Sequence, residues 1–267
     1  MRIIAGEFRS RKLLTPKDDS VTRPIPDRVK ESLFGLLRGH CEGASVFDAF
    51  AGTGAIGLEA VSRGASRCVM VEMDKGSAEL LRRNVEALGA ADRCEVVVGD
   101  ALGAGALARC PRPLTLGFFD PPYPLVRDAI GWKRVRAQVE RVIDLLSDDG
   151  FVVVRTPWPF LVETPSPDQP APGRRPVRKK KGGEKHWRYR QHEDEVERGG
   201  ETDGFEEGED LAIETGEDQT GPKAPVVRSE GDLLFPNATG PETHVYHSMA
   251  VHLYMRRRTE QRTSSSD

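Results

Sequence analysis

The sequence predicts a doubly wound α/β sandwich: a mostly parallel sheet with helices on both faces. Three observations predict it. Short, almost continuously apolar runs alternate with stretches of helical periodicity, as expected of strands buried on both faces and joined by crossover helices. Four of these runs lead into an acid, Asp48, Glu72, Asp100 and Asp120. After the first of them comes a glycine-rich turn, with Gly52, Gly54 and Gly57 where a backbone must approach a ligand or the next helix closely.

The elements follow in order. Residues 2–14 read as two short strands around Gly6, a hairpin with basic residues clustered on its second strand. Pro24 and Pro26 stiffen an extended linker, and Asp27 is the expected N-cap of a helix with Val29, Leu33, Leu36 and Leu37 at helical spacing, stopping near Gly39. Residues 45–47 form the first strand, and a helix opens from Ala55. Residues 67–72 are the second strand, 75–88 a helix, 95–98 the third strand and 114–119 the fourth. An amphipathic helix over 132–146 and a strand over 151–154 complete this part.

From Thr164 the composition shifts to Pro, Gly and charged residues, with a basic block over 174–185 and an acidic block over 193–218. Such a segment cannot bury enough apolar surface to offset its ordering entropy, so disorder is expected over most of it, residues 186–190 excepted. Order returns over 243–254 as one strand that finishes the sheet. Residues 160–163, 187–190 and 233–235 compete for the remaining strand. The expected organisation is an N-terminal extension (1–40), one α/β domain (41–160 with 243–256), a charged insertion (161–242) and a tail (257–267).

The 267 residues carry a net charge of −3, unevenly spread. Residues 163–243 hold 12 Lys+Arg against 19 Asp+Glu, which leaves 27 against 23 elsewhere. The first 40 residues alone hold nine basic side chains against five acidic ones, a surface suited to phosphates. Cys41, Cys68, Cys94 and Cys110 show neither a CxxC pair nor zinc spacing with histidines, so reduced thiols and no metal are expected. No signal, membrane-spanning or lipidation pattern is found, and the expected location is the cytoplasm.

Ligands of open α/β sheets sit outside the carboxyl ends of the strands, where the four acids fall. The glycine turn matches GxGxxG with Glu72 20 residues after Gly52, a spacing that suits a dinucleotide as well as S-adenosylmethionine. Glu72 is placed for two ribose hydroxyls and Asp100 for an adenine amino group, with Met73 and Ala101 beside them. Asp48 and the backbone of Phe50, Ala51, Gly52, Thr53 and Gly54 would meet the methionine part. Asn84, in the middle of a helix, reads as solvent-facing and structural.

Asp120-Pro121-Pro122-Tyr123 separates the two cofactors. Consecutive prolines hold the chain extended and remove two amide donors, leaving carbonyls that only accept. This suits a planar exocyclic amine, whose two N–H bonds would be held by the Asp120 carboxylate and the Pro121 carbonyl, with Tyr123 stacked on a flipped base. An NAD-dependent oxidoreductase explains the glycines and Glu72 but not this tetrapeptide. A DNA amino methyltransferase would share it, yet no segment suits a DNA target-recognition domain. A non-catalytic RNA-binding protein on the same fold would bind the cofactor without turnover.

With these residues in view, the chain resembles the bacterial 16S ribosomal RNA guanine-N2 methyltransferases of the RsmD type. The resemblance rests on Arg2-Ile3-Ile4-Ala5-Gly6 with Arg11-Lys12-Leu13, and on Thr22-Arg23-Pro24 followed by Asp27-Arg28-Val29-Lys30-Glu31-Ser32-Leu33-Phe34. It continues through the run from Asp48 to Ala60 and Ser62-Arg63-Gly64-Ala65 to Asp120-Pro121-Pro122-Tyr123, and covers residues 1–157 and 244–255. It implies a Rossmann-like, class I methyltransferase with a seven-stranded sheet, acting as a monomer on small-subunit rRNA in an assembling particle. The N-terminal hairpin and the stretch from Arg23 to Arg28 would then border the cofactor and RNA, with Arg2, Arg9, Arg11, Lys12, Arg23 and Arg28 facing RNA. The segment from about 160 to 243 departs from the family pattern and reads as a tolerated surface insertion.

Overall fold

The structure, a computed structural model, describes residues 1–16, 25–166 and 226–258. In chain order the elements are α1 (Asp27–Leu36), β1 (Ser45–Asp48), α2 (Gly57–Ser62), β2 (Arg67–Glu72), α3 (Lys75–Leu88), β3 (Cys94–Val98), α4 (Ala104–Arg109) and β4 (Leu114–Phe119). They continue with α5 (Tyr123–Arg127), α6 (Ala129–Ile143), β5 (Leu146–Pro157), β6 (Leu161–Pro165), β7 (Val226–Glu230), β8 (Ala238–Tyr246) and β9 (Met249–Arg256).

Seven strands form one sheet in the order β3-β2-β1-β4-β5-β9-β8. The first five are parallel, and β9 and β8 add antiparallel. The expected doubly wound sheet is therefore observed. Its order reverses between β1 and β4, the switch point outside which ligands bind in such sheets. Successive strand residues serve opposite faces. Val46, Phe118 and Val153 pack with α1, α2, α3 and the N-terminal segment, while Phe47, Phe119 and Val154 pack with α4, α5, α6 and Tyr254.

The N-terminal segment is a hairpin shorter than expected. Its arms are joined by one antiparallel bridge, Arg2 to Lys12, with Ile3 N donating to the Arg11 carbonyl, Leu13 N to the Met1 carbonyl and Ser10 N to the Ile3 carbonyl. The amides that a longer ladder would need are taken by α2: Ile4 and Ala5 donate to the Glu59 carboxylate, and Phe8 donates to Ser62 Oγ. Gly6 lies at φ +84° with its missing Cβ site 1.8 Å from the Ser62 carbonyl oxygen, so no other residue fits there. Asp27 is the first residue of α1 rather than its N-cap, which is Pro26, and its carboxylate pairs with Arg2.

The C-terminal part also differs. The expected single strand over 243–254 is a hairpin of β8 and β9 that turns at His247, where φ is +52°. β8 starts at Ala238, so the sheet reaches further back than residue 243. None of the three competing stretches supplies its edge. Residues 160–163 fall in and before β6, which pairs with β7 in a separate two-stranded sheet. Residues 233–235 dock on α6 as a loop, where Arg136 donates to the Leu234 carbonyl, and 187–190 lie outside the described residues. Within the segment expected to be an insertion, residues 226–242 thus belong to the packed fold.

Candidate active site

Four adjacent strands deliver the four acids to one rim. Asp48 ends β1, Glu72 ends β2, Asp100 follows β3 by two residues and Asp120 follows β4 by one. All four line one cavity of about 740 Å³, within the ~300–1,000 Å³ usual for small-molecule sites. Phe50, Ala51, Gly52, Thr53, Met73, Ala101, Pro121, Pro122 and Tyr123 line it too. Gly54 does not: its missing Cβ site lies 2.6 Å from a Leu81 methyl and 2.7 Å from a Leu58 methyl, so this glycine serves packing of the turn onto α2 and α3. Gly52, at φ +55° with open space at its Cβ site, is the one that faces the cavity.

Backbone amides aim the acids. The Glu72 carboxylate accepts from Gly52 N (2.8 Å) and Asp74 N (2.7 Å), leaving a lone pair on each oxygen. Asp100 accepts from Leu102 N and pairs with Arg134 on α6. Asp48 is buried; one oxygen accepts from Gly57 N at 2.9 Å, and the other has no hydrogen-bond partner among the described residues. Burial pushes its pKa up to about 7, opposed by the Gly57 amide and reinforced by the charges of Asp120 and Glu72. A buried, half-satisfied carboxylate beside two others is a site built for a cationic group. S-adenosylmethionine, with a sulfonium and an ammonium, fits these donors and acceptors.

At the other end of the cavity the Pro122 carbonyl accepts from Leu125 N and so starts α5, whereas the Pro121 carbonyl takes no hydrogen bond among the described residues. Asp120 is paired with Arg155. Burial raises the Asp120 pKa, and the guanidinium pulls it back. Tyr123 is flanked by two guanidinium groups, Arg155 at 5.7 Å and Arg127 at 5.8 Å from the ring centroid.

Two cavity-lining arginines, Arg155 and Arg134, and the buried Asn84 escaped the sequence reading. Met1, Thr15, Pro16 and Ile25 of the N-terminal extension, the part that the resemblance set beside the cofactor, line the cavity too. Arg155 carried the same signal as the acids, being the first charged residue after the apolar run over 151–154. Asn84 is buried rather than solvent-facing: its side chain bonds both the Leu14 N–H and C=O and reaches the Thr53 carbonyl at 2.9 Å. It pins the extension to the glycine turn. Its place in the stripe Leu81, Asn84, Leu88 was the available sign. Arg2, Arg9, Arg11, Lys12 and Arg28 lie outside the cavity lining, and Arg23 falls outside the described residues. Arg11 spends one donor on the Ala87 carbonyl.

Several known proteins are similar to this chain. The family described as Conserved hypothetical protein 95 matches residues 1–191. Ribosomal RNA small subunit methyltransferase D of Escherichia coli K12 is 38% identical over 152 residues, 57% of this chain and 69% of that protein. YlbH of Bacillus subtilis 168, named as a candidate rRNA methyltransferase, is 32% identical over 156 residues, 57% of this chain and 80% of its own. Among solved structures, Escherichia coli yhhF, titled a candidate methyltransferase, superposes with a TM-score of 0.52 at 25% identity, covering 96% of this chain and 97% of that one. The chain belongs to the Conserved hypothetical protein 95 family, that of the RsmD-type methyltransferases.

Proposed function

We propose that this protein is an S-adenosylmethionine-dependent methyltransferase that modifies the exocyclic N2 of a guanine in 16S rRNA, within an assembling small subunit in the cytoplasm, and that it works as a monomer. The observation that carries this reading is the Asp120-Pro121-Pro122-Tyr123 turn in the same cavity as Gly52 and Glu72. S-adenosylmethionine, when bound, supplies an electrophilic methyl group on a sulfonium.

Glu72 holds the ribose hydroxyls on its two remaining lone pairs. Asp100 takes the adenine amino group between Met73 and Ala101, and the orphaned oxygen of Asp48 takes the ammonium, directly or through water. The backbone of residues 50–54 lies along the methionine part. Asp120 and the Pro121 carbonyl accept the two N–H bonds of the base, and Tyr123 sets its plane. An aromatic amine becomes acidic only as its new bond forms, so Asp120 takes the proton late and needs no raised basicity. Arg2, Arg9, Arg11, Lys12, Arg23 and Arg28 supply contacts to RNA phosphates.

Mass mapping of 16S rRNA from a strain lacking the protein tests the reading, with small subunits from that strain then incubated with protein and labelled cofactor. One N2-methylguanosine should be missing and then restored. Label in DNA, or none in rRNA, contradicts it. Thermal stabilisation by NAD rather than S-adenosylhomocysteine would contradict the cofactor.

A further inference from the structure

Arg155 stands on β5 directly across from the end of β4, where Phe119 pairs with Val154. Its side chain is 10% exposed and its Nε donates to Asp120 Oδ1. A buried guanidinium has five N–H donors to satisfy. Among the described residues it finds as hydrogen-bond acceptors only Asp120 and the Met249 sulfur, a weak acceptor at 3.8 Å. It also lies over the Tyr123 ring, 5.7 Å from the centroid. None of the buried, unpartnered side-chain atoms among the described residues belongs to Arg155; the side chain lines the cavity, so its pair with Asp120 stands at the wall of the site. Its place touches two members of the tetrapeptide at once.

We propose that Arg155 is a positioning residue for methyl transfer: it binds one oxygen of Asp120, keeps that carboxylate ionised with its second oxygen turned to the amine, and supports the Tyr123 ring from one side. The inference rests on the reading that Asp120 receives the amine. Among the described residues, the charged groups coupled to Asp120 are Arg155 from β5 and Asp48 from β1, with Arg127 of α5 on the Tyr123 ring. Asp48 is an acid that disfavours a second negative charge beside it, and Arg155 is the cation that opposes it.

The test is the single-turnover rate of methyl transfer to small subunits from a strain lacking the protein, at saturating labelled cofactor, from pH 5 to 9. Saturation keeps the Asp48 titration out of the profile. Arg155→Met should move the acid limb up by about 1–3 pH units, the usual effect of one adjacent charge, and its rate should recover toward wild type at pH 9. Arg155→Lys should restore most of the profile, and S-adenosylhomocysteine affinity should stay near wild type in both. Should Arg155→Met not fold, Arg155→Gln is read in the same way. An acid limb at the wild-type position in Arg155→Met, at any rate level, overturns the inference alone. No transfer by the wild-type protein overturns the proposed function with it.

Discussion

Asp48 shows how one residue can be costly to the fold and useful to the site. Its pKa near 7 lies above the ordinary carboxylate value, so the folded protein binds a proton that the unfolded chain releases between about pH 4 and 7. The stability tied to this proton is present at low pH and lost as pH rises through 7. Asp48→Asn should therefore stabilise the ligand-free protein relative to wild type, more at pH 8 than at pH 5, by on the order of a few kcal/mol at most, read as a higher melting temperature. His252, whose pKa burial pushes down to about 4, acts in the opposite direction, but equally in both proteins, so it cancels in the difference. The same variant should lose ~10–100-fold in S-adenosylmethionine affinity, the usual worth of a hydrogen bond to a charged group. Binding to wild type should release a proton near pH 7, seen by calorimetry in buffers of different ionisation enthalpy. Equal melting behaviour at both pH values would contradict the account of Asp48.

At the scale of elements, the N-terminal segment is a wall of the cavity held by polar groups beneath it. Glu59, fully buried, accepts from Ile4 N, Ala5 N and Arg63 and pairs with Lys30 at 3.3 Å, while Lys30 donates to the Arg2 carbonyl. Glu59→Ala strands the buried Lys30 and should cost about 3–5 kcal/mol in denaturant unfolding. Asn84→Leu keeps the shape but leaves the Leu14 amide and carbonyl and the Thr53 carbonyl unpaired; about 1–3 kcal/mol should be lost, with weaker S-adenosylhomocysteine binding. The strands and their terminal acids were legible because an apolar run that ends in a charge marks where a buried strand meets solvent. Glu59 and Asn84 were not, because helical periodicity tells which face is buried but not that a polar side chain on it will meet backbone 54–70 residues away. The β8–β9 turn was missed for a related reason: His247 occupies a left-handed position that usually announces itself as glycine or asparagine.

For the whole molecule, the boundary of the charged segment matters most. Trp132 Nε1 donates to the Asp232 carbonyl, the Tyr254 hydroxyl donates to the Leu233 carbonyl, and Ala238 begins the edge strand. A deletion reaching residue 240 would remove these and should unfold the protein. Thr164 bonds the Val227 carbonyl, so a short Gly-Ser link can replace residues 167–225. That deletion should leave the melting temperature within about 4 °C of wild type, roughly 1 kcal/mol, and leave methyl transfer intact. A collapse in rRNA affinity alone would show that the segment binds RNA. In the proposed reaction one cavity holds both a cationic cofactor and, at Asp120 and Pro121, an amine. Single-turnover methyl transfer by Asp120→Asn, with cofactor binding measured on the same sample, decides this. Binding should persist while transfer falls by about 10²–10⁴, the range for losing a positioned proton acceptor; transfer at the wild-type rate would contradict the account.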